Sequence, residues 1–174
     1  MKERFTRLSQ TLYWTALALS VVLPVLVLLY AGKAVSDPAS LLSRVPGLPP
    51  DMTVTRSQAA LVAAIALISV LPMLAALRAM ARLFDSYRAG DILSDANAGS
   101  ILTIGRALLL VAFFTVLTPT LQTLILSWNG PQRMLSIGLD GGTLGFALAA
   151  GLLTVIGWAM GEAARIKAEN EGFV

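Results

Sequence analysis

Four stretches of this chain contain no Asp, Glu, Lys or Arg: residues 8–32, 57–77, 107–132 and 141–161. Each reaches or exceeds the roughly 20 residues that carry an apolar helix across about 30 Å of hydrocarbon. A water-soluble domain has no way to cover four such helices, whereas lipid solvates them directly. The composition agrees, since the chain is 56% hydrophobic and 13% charged, against roughly a quarter charged in soluble domains. We therefore expect an all-α fold, an integral membrane four-helix bundle forming a single membrane domain over residues 1–174. Its spans should lie near residues 12–30, 59–77, 107–126 and 144–160.

The first stretch follows Lys2, Arg4 and Arg7, as the apolar core of a signal peptide would. Its apolar run is longer than the roughly 7–15 residues of such a core, so we read it as a retained anchor. Cytoplasmic loops carry an excess of Lys and Arg. Lys2, Arg4, Arg7, Arg78, Arg82, Arg88, Arg106, Arg165 and Lys167 fall on one side of the expected layout, against Lys33, Arg44, Arg56 and Arg133 on the other. This places both termini in the cytoplasm. Residues 31–58 then form an extracytoplasmic loop and residues 78–106 a cytoplasmic one. The outer loop is rich in Pro, Gly and Ser, with Asp37 poised to cap a short turn at Pro38, and is expected to be floppy rather than an ordered lid. Trp128, in the second outer turn, suits an interfacial aromatic belt.

The chain has no His and no Cys, which removes imidazole, thiolate and disulfide chemistry and most transition-metal sites. No nucleophile–base pair, phosphate-cradling loop or calcium-loop pattern can be assembled, so no catalytic, cofactor or metal residue is assigned and an enzyme is not expected. The net charge of +3 is no nucleic-acid footprint, and direct nucleic-acid binding is not expected. The spans hold no ionisable residue away from their ends, which counts against a transporter or channel.

Three sets of residues remain as candidates. Thr115, Thr118 and Gln122, with Thr120 and Thr123, surround Pro119 in the third span, where hydroxyls can satisfy a backbone carbonyl that the proline frees. A local kink is the plain reading of this group, and a small polar cavity open to the outside is the sharper one. In the fourth span Gly145, Ala149, Gly157 and Gly161 repeat at helical spacing, and Gly157 to Gly161 is a literal G-x-x-x-G, a face for close packing inside the monomer or in an oligomer. The cytoplasmic loop and tail supply Arg82, Arg88, Asp91, Asn97, Arg165 and Lys167, either an elbow lying on lipid phosphates or a docking surface. Within this region Gly90 can end one helix as a left-handed cap, and Ser94 can cap the next. In the tail, Glu162 with Arg165 and Lys167 with Glu171 have helical pairing distances.

The segment Tyr87-Arg-Ala-Gly90-Asp91-Ile-Leu93-Ser94 with Asn97-Ala98 and Ile104-Gly105, and the closing Gly161-Glu-Ala-Ala-Arg165-Ile-Lys167-Ala-Glu169-Asn-Glu171, resemble a bacterial membrane family of unknown function, DUF2975. The chain departs from the family pattern at Leu93, where an aromatic is usual, and in its Gly-Phe-Val ending. The resemblance implies four spans and a loop motif before the third. It also implies a frequent genetic neighbour, a small helix-turn-helix regulator, and hence a membrane partner or sensor for a cytoplasmic DNA-binding protein. An accessory subunit of a larger membrane complex is the alternative. The resemblance carries no catalytic residues with it.

Overall fold

The computed structural model describes residues 2–45, 48–49, 52–90, 94–130 and 133–171, without the side chains of residues 2–5 and 171. The chain is all-α. Helices α1 (Lys2–Ser36), α2 (Arg56–Arg88), α3 (Asp95–Ser127) and α4 (Gly141–Glu171) carry the fold, with one 3-10 turn at Pro38–Leu41 and no strand among the described residues. They are 35, 33, 33 and 31 residues long, and each contains a segment long and apolar enough to cross a membrane. At 1.5 Å per residue they run to roughly 46–52 Å, longer than the hydrocarbon layer. Large apolar side chains stay on the outside, among them Leu29, Leu71, Leu148 and Val155, each more than half exposed. A soluble monomer does not tolerate apolar surface on that scale, and a multi-pass membrane protein requires it. Pro24, Pro72 and Pro119 lie inside α1, α2 and α3.

The chain forms two compact units. The first comprises Met1–Val21, Pro72–Leu110 and Gly145–Val174. Half of its core is small residues, Ala76, Ala79, Ala107 and Ala150, interleaved with Leu83, Ile101, Ile104 and Leu108. Two glycines let the α3 and α4 backbones meet. A Cβ on Gly157 would stand 2.6 Å from the amide nitrogen of Leu102, and one on Gly105 would stand 2.6 Å from that of Thr154. Gly161 faces the Ala98 methyl.

The α4 seam thus reads Ala150, Thr154, Gly157, Gly161 and Ala164, alternating steps of three and four. Gly145 and Ala149 lie outside it, both exposed, with open space where a Gly145 side chain would be. The cause is geometric: each four-residue step overshoots a turn by about 40°, so a stripe counted only in fours walks off its own face.

Helix α2 ends as expected at Gly90, whose φ of 88° suits a residue without Cβ, with its N–H donating to the Tyr87 carbonyl at 3.1 Å. At the start of α3 the Ser94 carbonyl accepts from the Asn97 and Ala98 amides. The Ser94 hydroxyl, expected to cap, is buried and has no hydrogen-bond partner among the described residues.

The second unit comprises Val22–Leu71 and Val111–Leu144. Here the outer loop differs from expectation. Leu41 and Val45 are buried with Ala34, Ala59, Val62 and Leu126, so the described part of the loop is packed rather than floppy. Asp37 makes no side-chain cap to the 3-10 turn; its carbonyl accepts from the Ser40 amide and hydroxyl instead.

Helix α2 opens with a reciprocal cap. The Thr55 N–H donates to Gln58 Oε1 at 2.9 Å and the Gln58 N–H donates to Thr55 Oγ1 at 3.3 Å. The other end of the same amide donates from Nε2 to the Ile125 carbonyl at 2.7 Å and, more weakly, to that of Leu126 at 3.4 Å. Gln58 is 6% exposed, so one buried side chain closes the start of α2 and supplies a donor to carbonyls in the last turn of α3.

Helix α4 opens on Asp140, whose Oδ1 accepts from the Thr143 N–H at 2.6 Å. That bond and the Thr143 hydroxyl, with a lesser part from the Gly142 amide, hold the Asp140 carboxyl below the usual carboxylate range, against an opposing contribution from desolvation.

Two outcomes follow. Gln58→Glu keeps the capping oxygens but sets a carboxylate against the α3 carbonyls, and should lower thermal stability in detergent more than Gln58→Ala, whose loss is on the order of 1–3 kcal/mol for a buried hydrogen-bonding group. Equal melting temperatures for the two variants would remove the inter-helix role of Gln58. A depressed carboxyl contributes stability that is present above its unfolded pKa and lost as pH falls through its folded one. Amide protection at Thr143 should therefore persist through the usual carboxylate range and be lost only as the pH falls below it, and should not change with pH in Asp140→Asn.

Candidate functional site

The hydroxyls of α3 do not converge on a common point. Thr115 donates to the Val111 carbonyl at 2.9 Å. Thr118 pairs with Ser69 of α2 at 2.7 Å, and because the Ser69 proton goes to the Ile65 carbonyl, Thr118 is the donor. This is an inter-helix polar contact, worth roughly 0.6–2 kcal/mol in membranes. Gln122 is half-buried and makes no hydrogen bond among the described residues.

Thr120, Thr123 and Ser127, one face of α3, do something else: they bind an extended segment. The Met134 N–H donates to Ser127 Oγ at 2.9 Å, the Ser136 N–H donates to Thr123 Oγ1 at 3.4 Å, and Thr120 donates to the Ser136 carbonyl at 3.0 Å. Ser127 and Thr123 are buried. Leu135, Ile137 and Leu139, the alternate residues, are each more than 60% exposed. A non-helical backbone survives near lipid only if protein groups take up its hydrogen bonds, and these hydroxyls do so. The Arg133 guanidinium lies 4.4 Å from the Trp128 ring centroid beside this segment, and the exposed Trp128 is placed for an interfacial belt.

The six docking candidates separate. Arg82 lies with Tyr13, Leu17, Ser20, Arg78, Ala81 and Asp85 around a groove of about 370 Å³ between α1 and α2. Arg88 stands next to it, ion-paired to Asp85 at 3.0 Å and with its guanidinium 5.3 Å from the Tyr13 ring centroid. Arg165 borders a second groove, about 300 Å³, between α3 and α4, with a floor of Gly99, Gly157 and Gly161, Trp158 on the wall, and Asp95 and Glu162 at the rim. It pairs with Glu162 at 2.6 Å and reaches Glu169 at 3.8 Å. Lys167 is exposed on the same helix; its expected partner Glu171 has no described side chain, and Asp91 lies outside the described residues. Asn97 is 1% exposed, so it belongs to the interior and not to a docking surface.

The expectation of charge-free spans also changes once the helices are side by side. Arg78 and Arg82 end the apolar run of α2, yet they line one groove with Leu17 and Ser20, and Ser20 stands midway along the charge-free residues 8–32 of α1. Arg106 follows Gly105, which abuts Thr154 near the middle of the charge-free residues 141–161 of α4. Bases at the end of one apolar run lie level with the middle of another. That offset is invisible when each helix is read alone.

The hydroxyl face of α3 can be tested directly. Ser127→Ala removes the bond from the Met134 N–H and the one its own hydroxyl donates to the Met134 carbonyl at 3.2 Å, and amide exchange at Met134 should rise about fivefold or more, at roughly 1 kcal/mol per lost hydrogen bond; unchanged exchange would mean the segment is held by other contacts.

No curated protein and no solved structure matches this chain. A family model described as a protein of unknown function, DUF2975, matches residues 43–173. The match takes in α2, α3 and α4, the Gly90 cap with the segment after it, and the charged tail, and a match of that extent makes the chain a member of the DUF2975 family.

Proposed function

We propose that this multi-pass membrane protein is a non-enzymatic partner, in the bacterial inner membrane, for a cytoplasmic helix-turn-helix regulator. The observation that carries the reading is the α3–α4 groove, where glycines open space between two helices beside an exposed indole and a rim of mixed charge. Such a site suits an inserted apolar side chain flanked by polar contacts, the usual composition of a protein interface anchor. The rim residues Glu162 and Arg165 lie in the tail through which the chain resembles its family, and the family resemblance implies the class of partner. The positive-inside distribution of bases supports a cytoplasmic position for this groove.

A second reading, an accessory subunit of a larger membrane complex, is favoured by Gly145 and Ala149. These small residues are exposed one turn apart and are not used in the α3–α4 seam, so they leave a face where another transmembrane helix could approach.

A pull-down from native membranes in mild detergent separates the two. The intact chain should capture a DNA-binding protein identifiable by mass spectrometry as a helix-turn-helix regulator. Asp95→Asn with Arg165→Gln and Lys167→Gln should reduce that capture at least about tenfold, as expected when central interface contacts are lost. Recovery of membrane proteins alone, equally with both chains, would replace docking by the subunit reading.

A further inference from the structure

We infer that the α1–α2 groove is a binding site for the phosphate of an anionic phospholipid, entered sideways from the bilayer. This inference is independent of the docking reading, uses different residues, and concerns α1, which lies before the family match.

The groove places two guanidinium groups one helical turn apart, Arg78 and Arg82, on the same side of α2. Neither makes an ion pair among the described residues. Asp85, the acid in the groove wall, is already matched by Arg88 at 3.0 Å, so the local surplus is the positive charge of Arg78 and Arg82. The Arg82 Nε–H reaches only the Arg78 carbonyl, at 3.4 Å, which leaves the remaining donors of both side chains facing outward. The Tyr13 hydroxyl, also at the wall, makes no hydrogen bond among the described residues, and Ser20 gives its proton to the Leu17 carbonyl at 2.7 Å.

Depth decides what the ligand is. The groove reaches from Tyr13 to Ser20, the middle of the charge-free run of α1, with Leu17 and Ala81 in its wall. A base at that level is costly unless it meets a counter-anion or draws its own water. Paired guanidinium groups match phosphate oxygens in geometry as well as charge. A soluble anion would have to leave water to reach an apolar wall, whereas a lipid brings its phosphate and its acyl chains together. Volume is adequate, since about 370 Å³ lies within the usual range of small-ligand sites, roughly 300–1,000 Å³.

The full chain, purified in mild detergent, is titrated with phosphatidylglycerol, phosphatidylcholine or inorganic phosphate and the adducts are counted by native mass spectrometry. Phosphatidylglycerol should bind in preference to phosphatidylcholine. Arg78→Gln with Arg82→Gln should weaken it about thirtyfold, taking each base as an independent contribution near a lipid surface. Arg56→Gln with Arg133→Gln, which removes the same charge outside the groove, should leave it unchanged. Ser20→Trp keeps every charge and fills the groove, so it should also abolish the preference, and it serves if the double arginine variant does not fold. Equal binding of phosphatidylcholine, equal loss in the two double variants, or full retention in Ser20→Trp would overturn the site. Displacement of the lipid by inorganic phosphate at comparable concentration would assign the groove to a soluble anion and overturn its lipid origin.

Discussion

Lipid offers a peptide group nothing to bond with, and most of the order in this protein follows from that single shortage. Four helices satisfy their own amides and carbonyls, and what needs explanation is every place where the chain stops being helical. At several such places a side chain takes over. Thr55 and Gln58 close the start of α2 and Asp140 holds the first turn of α4, while at Gly90 the backbone itself makes the turn. The extended stretch after α3 is carried by Thr120, Thr123 and Ser127, hydroxyls that a soluble protein could have left to water. The polarity concentrated in the third helix is therefore structural in large part, since it substitutes for solvent.

With backbone bonding settled within helices, packing between them depends on how closely they approach. Without a hydrophobic driving force between apolar helices in lipid, contact area and fit do the work. The α3–α4 seam obtains its contact from Gly105 and Gly157, where backbone meets backbone and where a methyl group would already collide. Gly157 also lines the groove beside Trp158, with Gly99 and Gly161, so close approach and concavity share a residue.

The four apolar spans were legible because they need only a count of charges, and the α2 terminus because Gly90 stands where a left-handed cap is wanted. The capping pair Thr55 and Gln58 was equally present in the sequence as T-x-x-Q, but lay hidden at the end of a loop read as floppy. Burial of Leu41 and Val45 could not be read locally, since it rests on Val62 and Leu126, distant in sequence. The α3–α4 seam leaves out Gly145 and Ala149, because repetition in fours resembles a stripe and is a spiral. The relation of Arg78 and Arg82 to α1 depends on how far neighbouring helices are offset along their axes, a quantity that no single segment encodes. Asn97, polar and within a recognisable motif, was placed on the surface although it lies inside; a short amide in a helix's first turn gives no sign of which way the chain will pack over it.

Gln58 is joined to two events that synthesis separates in time. Helix α2 leaves the ribosome before α3, so Thr55 and Gln58 can close their cap while the rest of the membrane domain is incomplete. Until α3 arrives, the amide protons of that side chain lack the two carbonyls they meet in the folded chain. The residue that finishes one helix is thus left as an open valence for the next, which gives assembly of α2 with α3 a direction in chain order without any further signal.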